Sequence, residues 1–536
     1  MRKAKRRIAI ALLAALALAA LVPRAPVRAS PAATLLFRVD LAEGAPDSIS
    51  VTLKIEGAAG EAALRMEDSY GEGLAVDLAS HIQEVMAVDG AGRELPVRRE
   101  GNTWYVENPG RMILSYRVKL SGYEADTPYL SSLAAGGAPW PYFPFREGDL
   151  AYLPGYALFV RPDLPPQTPV NLEVLLPEGW TTAIPRREGP YELGELLSDP
   201  LLAGKITLLE GKDLVLALPA ASSPATATLE EFADKVTSAL DRLRNMLAAG
   251  GEVPGEALRD GIVLVMLLRG EGDRLEDAFH LPEPFGHTAV LAAPAGADIL
   301  SDACLEASVR EMASLLLRRS LPSQPEARWL LAGAAWYLQD LLPYLAGIWG
   351  GALFWDRLSR RYQLYREALE RRPISLAQAG VGASDDGDAA IALACGGAVA
   401  CAALDAELHS QQPQELDFIS FLARLAELRE GKGGLGNADI RSLLETLSGR
   451  DWSAFFRGYI EGTREIPASA FSSLRIAEEE GSSFPARGGG ESTSVPEWRL
   501  LAIAVALVLL IPFLLEPYTM RPRKPGFLEK KLREDE

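Results

Sequence analysis

Along residues 31–225, apolar and polar positions alternate in short runs. Leu35-Leu36-Phe37-Arg38-Val39, Ser48-Ile49-Ser50-Val51-Thr52-Leu53 and Ile113-Leu114-Ser115-Tyr116-Arg117-Val118 each suit a strand with one buried face. Gly, Asp and Pro separate these runs, and Val170–Leu176 ends in Pro177-Glu178-Gly179-Trp180. The pattern predicts a β-sandwich-like domain, with a second small β segment after about residue 145. At Thr228 the period changes. Leu229, Phe232, Val236, Leu240, Leu243 and Leu247 fall on one helical stripe, and Thr228 with Glu231 reads as a capping box. Ile262–Leu267 reads as a buried strand. Beyond it the helical period predicts helices over 301–319, 326–345, 350–371, 387–409, 415–429, 437–447 and 451–461.

Both ends carry uninterrupted apolar runs. Basic residues from Arg2 to Arg7 precede Ile8–Val22, and Val27-Arg28-Ala29 supplies small residues at the two positions a signal peptidase reads. A leader over 1–29, cleaved after Ala29, is expected. Leu500–Leu515 is an unbroken apolar run between Arg499 and Glu516, with Trp498 and Tyr518 at interfacial positions. It reads as one transmembrane helix over 499–516. The basic tail 517–536 is then cytoplasmic and the body extracytoplasmic, as in a bacterial single-pass membrane protein. Residues 477–497, rich in Gly, Ser, Pro and charge, suit a flexible stalk, assigned to 471–498. The expected organisation is a β-rich domain over 30–225 and a helical domain over 226–470.

Charge narrows the function. The 536 residues carry a formal charge of −18. The stretch 30–498 alone holds 40 basic and 67 acidic residues, a net of −27. A body that acidic is a poor phosphate-backbone ligand, which excludes nucleic acid as the expected partner. Three cysteines, Cys304, Cys395 and Cys401, are too few for a disulfide framework or a four-cysteine zinc site. One disulfide with one free thiol is the alternative to three buried small hydrophobes. Gly431-Lys432-Gly433-Gly434-Leu435-Gly436 matches G-x-G-x-x-G, but no strand precedes it, and it reads as a turn.

A zinc peptidase of the thermolysin-like kind needs HExxH on a helix and a Glu ligand from a following helix. The four histidines (His81, His280, His287 and His409) contain no such pair. Nevertheless Trp329-Leu330-Leu331-Ala332-Gly333-Ala334-Ala335-Trp336-Tyr337-Leu338 resembles the W-L-x-E-G-x-A-x-Y-L helix of gluzincin aminopeptidases. Arg310-Glu311-Met312-Ala313-Ser314 then resembles their HExxH segment, and the seventeen residues between Ser314 and Ala332 are close to the spacing of the simplest gluzincins. The order of further motifs is similar to the glycyl aminopeptidase family. These motifs are Pro177-Glu178-Gly179-Trp180, Phe285-Gly286-His287, Gly396-Gly397-Ala398-Val399 with Leu404-Asp405, Leu416-Asp417-Phe418, Phe455–Gly462 and Ile466-Pro467. The resemblance spans about residues 35–468.

That resemblance implies an α+β multidomain fold, with a β-sandwich-like domain ahead of a gluzincin-like helical domain. It also implies a zinc site, whose ligand positions here read Arg310, Ser314 and Ala332; Glu311 alone persists, as a relic general base. The Tyr expected before K-G is absent, since Leu393 and Ala394 stand there. Without zinc there is no low-pKa water and no polarised carbonyl. The expectation is therefore a degenerate peptidase with no metal or other cofactor, binding a peptide or protein in the old cleft. His287, Trp329, Trp336 and Tyr337 are the candidate cleft residues. One alternative is an active metallo-aminopeptidase with an unorthodox site around Glu311 and His287. Another is a structural spacer or assembly module. The aromatic string Trp140–Phe145 suits either a cleft lining or domain packing.

Overall fold

The structure is a computed structural model. It describes residues 33–476 except for short stretches, the longest being 123–142, 250–261 and 269–278. The expected leader, the segment from 477 onward with Leu500–Leu515, residues Trp140–Tyr142 and Gly431–Gly433 lie outside the described residues.

An N-terminal β-rich part is followed by a helical part. The first sheet is built on β1 (Thr34–Asp40), β2 (Ser48–Arg65), β3 (Ile82–Asp89) and β4 (Thr103–Lys119). β2 and β4 form a long antiparallel pair, broken by a bulge between Glu56 and Ala59. β1 lies beside β2 and pairs in parallel with β5 (Pro169–Leu175). The period-2 pattern read from the sequence is visible in β1 and β4, where every second residue except Gly110 is buried. The turn after β5 needs Gly179, whose φ is +77° and whose neighbour Trp180 donates its N–H to the Pro177 carbonyl at 3.1 Å. A smaller antiparallel sheet is centred on β6 (Pro200–Gly204), preceded by the short helix α1 (Leu193–Ser198).

A third sheet joins the two parts. It runs through β7 (Ile206–Glu210), β8 (Leu214–Pro219), β9 (Ile262–Leu268) and β10 (Thr288–Ala293). β8, β9 and β10 are parallel, and their residues alternate between two cores. Ala217, Val263, Val265 and Val290 face the β-rich core. Leu216, Leu218, Leu264, Met266, Ala289 and Leu291 face the helical core. A parallel sheet covered on both faces reads as continuous apolar runs, which is why Ile262–Leu267 shows no alternation.

The helices follow the expected spans closely. They are α2 (Thr226–Ala249), α3 (Asp302–Ser320), α4 (Arg328–Leu345), α5 (Gly351–Arg371), α6 (Leu376–Gly382), α7 (Gly397–Gln411), α8 (Phe418–Leu428) and α9 (Asn437–Ser448). One detail is corrected: α2 starts at Thr226, so Thr228 and Glu231 lie inside the helix and do not box its start. A π-helical turn, Ala392–Gly396, leads into α7. Among the described residues Asp388–Ser410 is long and apolar enough to cross a membrane, yet most of it is buried inside the protein as the central helix of the bundle. Packing continues past the helices. Phe471, Leu474 and Ile476 are buried, and the Phe471 ring lies 5.8 Å from Tyr362, so the expected start of the stalk falls on packed residues.

Candidate functional site

α3 and α4 bring the motif residues together. Ser301 caps α3 by accepting the Cys304 N–H at 3.3 Å. Asp302, Glu306, Arg310 and Ser314 recur every fourth residue and share one face of α3. Ala332, Trp336 and Asp340 do the same on α4, and Arg357 with Arg361 on α5.

Arg310 is the centre of this arrangement. Its Nε donates to Glu311 Oε1 at 2.9 Å, and its guanidinium lies 4.5 Å from the Trp336 ring centroid. Arg361 sits 5.6 Å from the same indole, so Trp336 contacts two cations. Arg361 also pairs with Asp340, and its other terminal nitrogen donates to Glu306 at 2.7 Å. Glu306 further accepts from Gln339 at 2.8 Å and pairs with Arg357. Burial pushes the Asp340 carboxyl up to about 7 against the pull of Arg361 and Arg310. Burial and the neighbouring Arg361 bring Arg357 down to about 10. Three arginines and three acids thus pair with one another where the helices meet.

The zinc implied by the motif resemblance does not fit these side chains. A guanidinium has no lone pair to give at ordinary pH, and Ala332 has no donor atom. Arg310, at the position where the resemblance expects a first ligand, holds a fixed positive charge already engaged by Glu311 and Trp336. Among the described residues no group of three or more His, Cys, Asp and Glu is placed to hold a metal ion.

The remaining candidates separate. Trp329 is fully buried and donates its indole N–H to Asn437 Oδ1 at 2.8 Å. Tyr337 is buried and donates to Asp405 Oδ2 at 2.7 Å. Asp405 Oδ1 in turn accepts the Phe418 N–H at 2.9 Å, tying α4, α7 and α8. Of the four cleft candidates Trp336 alone is partly exposed; Arg310 and Ala332 beside it are too. His287 is buried away from this face, with Glu195 and Asp199 within 4 Å of its ring. Phe143 is buried in the β-rich core and Phe145 packs 5.6 Å from Tyr152, so the described end of the aromatic string is packing. Cys304, Cys395 and Cys401 are free and buried, with the first two thiols pushed up to about 11 by burial. Sequence reasoning missed Glu306, Gln339, Asp340, Arg357 and Arg361. The readable signal was charge at four-residue spacing on α3, α4 and α5.

The fold is similar to that of a solved aminopeptidase N family protein. An aminopeptidase N family protein from Idiomarina loihiensis superposes with a TM-score of 0.65 at 15% identity, over 82% of this chain and 78% of that one. An M1 zinc metallopeptidase from Deinococcus radiodurans matches more loosely, with a TM-score of 0.47 at 16% identity, over 81% of this chain and 94% of that one. Within the chain, residues 36–192 match the Peptidase M61 N-terminal domain. No curated protein matches the chain.

Proposed function

We propose that this chain is a degenerate member of the glycyl aminopeptidase family: a membrane-anchored, extracytoplasmic protein that has lost its zinc ligands. It holds a peptide or protein partner and does not hydrolyse it. The observation carrying the reading is Arg310, a cation at the first ligand position, bonded to the relic base Glu311 and stacked on Trp336. A carboxylate engaged by a guanidinium is a weak proton acceptor, and no side chain at 310 or 332 can replace a metal's charge stabilisation. The partly exposed Trp336, Arg310 and Ala332 supply an aromatic and cationic surface for the partner. The active alternative around Glu311 and His287 has less support, because the ion pairs of His287 run to Glu195 and Asp199.

The test is zinc content, peptide turnover and peptide binding of the purified full-length chain after incubation with zinc and desalting. Near-zero zinc, no turnover, and saturable peptide binding weakened by Trp336→Ala support the proposal. One tightly held zinc per chain, with turnover lost in Glu311→Gln, overturns it. Absence of both zinc and peptide binding overturns the binding reading and favours a structural spacer.

A further inference from the structure

A second cluster of buried titratable groups lies at the junction of the β-rich part and the joining sheet. Glu195 and Asp199 are one turn apart, on α1 and at its C-terminal cap. His287 immediately precedes β10. Their exposures are 6%, 5% and 1%. Asp199 Oδ1 accepts the backbone N–H groups of His287 at 2.7 Å and Thr288 at 2.9 Å. Its other oxygen is 3.9 Å from His287 Nδ1, while Glu195 Oε1 is 3.8 Å from Nε2. Glu195 Oε2 is occupied by the Glu192 N–H at 2.9 Å. On the far side Arg319, in the last turn of α3, donates to the Gly286 carbonyl at 3.4 Å, and its charge acts on Asp199.

The approach is close and fixed. A Cβ at Gly286 would lie 3.2 Å from Asp199 Oδ1, and a Cβ at Gly155 would lie 2.1 Å from the Leu196 carbonyl, so α1 is held hard against the β-rich part. The two carboxylates address opposite ring nitrogens, so the trio cannot close on one metal ion. It can share one proton. With Arg319 and Glu195 charged, a single proton shared between His287 and Asp199 balances the charge of these four groups. If that proton leaves, two buried carboxylates face one neutral ring and the positive charge of Arg319.

We propose that Glu195, Asp199 and His287 form a proton-operated latch between α1 and β10, closed while the shared proton is present and slackened when it leaves. This goes beyond the peptide-binding proposal and does not rest on it. Burial, reinforced by the charge of Glu195, pushes the Asp199 carboxyl up to about 7; the bonds from His287 and Thr288 and the charge of Arg319 oppose it. A carboxyl raised on folding gives stability that is complete below its ordinary range near pH 4 and lost as pH rises through about 7.

The experiment is hydrogen exchange of the full-length chain from pH 6 to pH 8, corrected for the intrinsic pH dependence, read on segments 193–204 and 286–293. Protection there should fall about fivefold from pH 6 to pH 7 and only about twofold more from pH 7 to pH 8, and Asp199→Asn, which keeps the acceptor oxygen but cannot ionise, should flatten the profile. Equal slopes in both proteins, or no slope in the wild type, overturn the latch. If Asp199→Asn fails to fold, carboxyl-carbon NMR of Asp340→Asn replaces it. One Asp should still titrate near neutrality in that variant; none doing so overturns the proposal.

Discussion

Replacing Arg310 by Met tests how far its ion pair with Glu311 on α3 and its contact with Trp336 on α4 stabilise the chain. Met keeps the length and apolar stem of the side chain and removes its charge. The pair is well shielded, with Arg310 at 13% and Glu311 at 5% side-chain exposure. At 2.9 Å and an effective dielectric of about 20, the gross attraction is on the order of 5 kcal/mol, much of it offset by desolvation. The larger effect is what Arg310→Met leaves behind, a buried carboxylate without its guanidinium, at about 3–5 kcal/mol. Loss of the contact with Trp336 adds about 1 kcal/mol. Arg310→Met should therefore destabilise the chain by about 5 kcal/mol. Arg310→Met with Glu311→Gln, which removes both charges, should fall within about 2 kcal/mol of wild type. Urea unfolding followed by tryptophan fluorescence reads both. A single-variant cost below about 1 kcal/mol, or a double variant as unstable as the single, refutes the reasoning.

Three further outcomes follow from the packing and the titratable groups. Gly333→Ala would put a Cβ 2.1 Å from the Gly397 carbonyl carbon, so α4 and α7 must separate; a loss of about 3 kcal/mol or more is expected in thermal melts. His409 is raised above its ordinary range, first by its hydrogen bond to Asp405. A raised histidine stabilises below about pH 6.5 and loses that contribution as pH rises through its folded value. The stability difference between wild type and His409→Gln should therefore be greatest near pH 6 and vanish by about pH 9, with a pH-independent difference counting against the bond. The three cysteines should resist a thiol reagent in the folded chain at pH 8 and react together in urea, since all are buried; rapid labelling of any in the native state would contradict their placement.

Much of this protein follows from local pattern. Alternation located β1, β2 and β4, and the 3.6-residue stripe placed α3, α4 and α5 within one or two residues of their ends. The motif order pointed to the segments that form α3 and α4, and the sequence places Arg310, Ser314 and Ala332 where the resemblance expects zinc ligands. What tertiary structure decided is which charges meet. Trp329, Trp336 and Tyr337 are close neighbours in the chain, yet helical rotation sends the first and last into the core and leaves Trp336 between two arginines. Arg361 finds Asp340, and Asp199 finds His287, across 21 and 88 residues of chain. Apolar periodicity specifies a buried face but carries no record of the partner face. Partners are chosen when elements pack, because a buried charge must find an opposite charge or a hydrogen bond within a few ångströms.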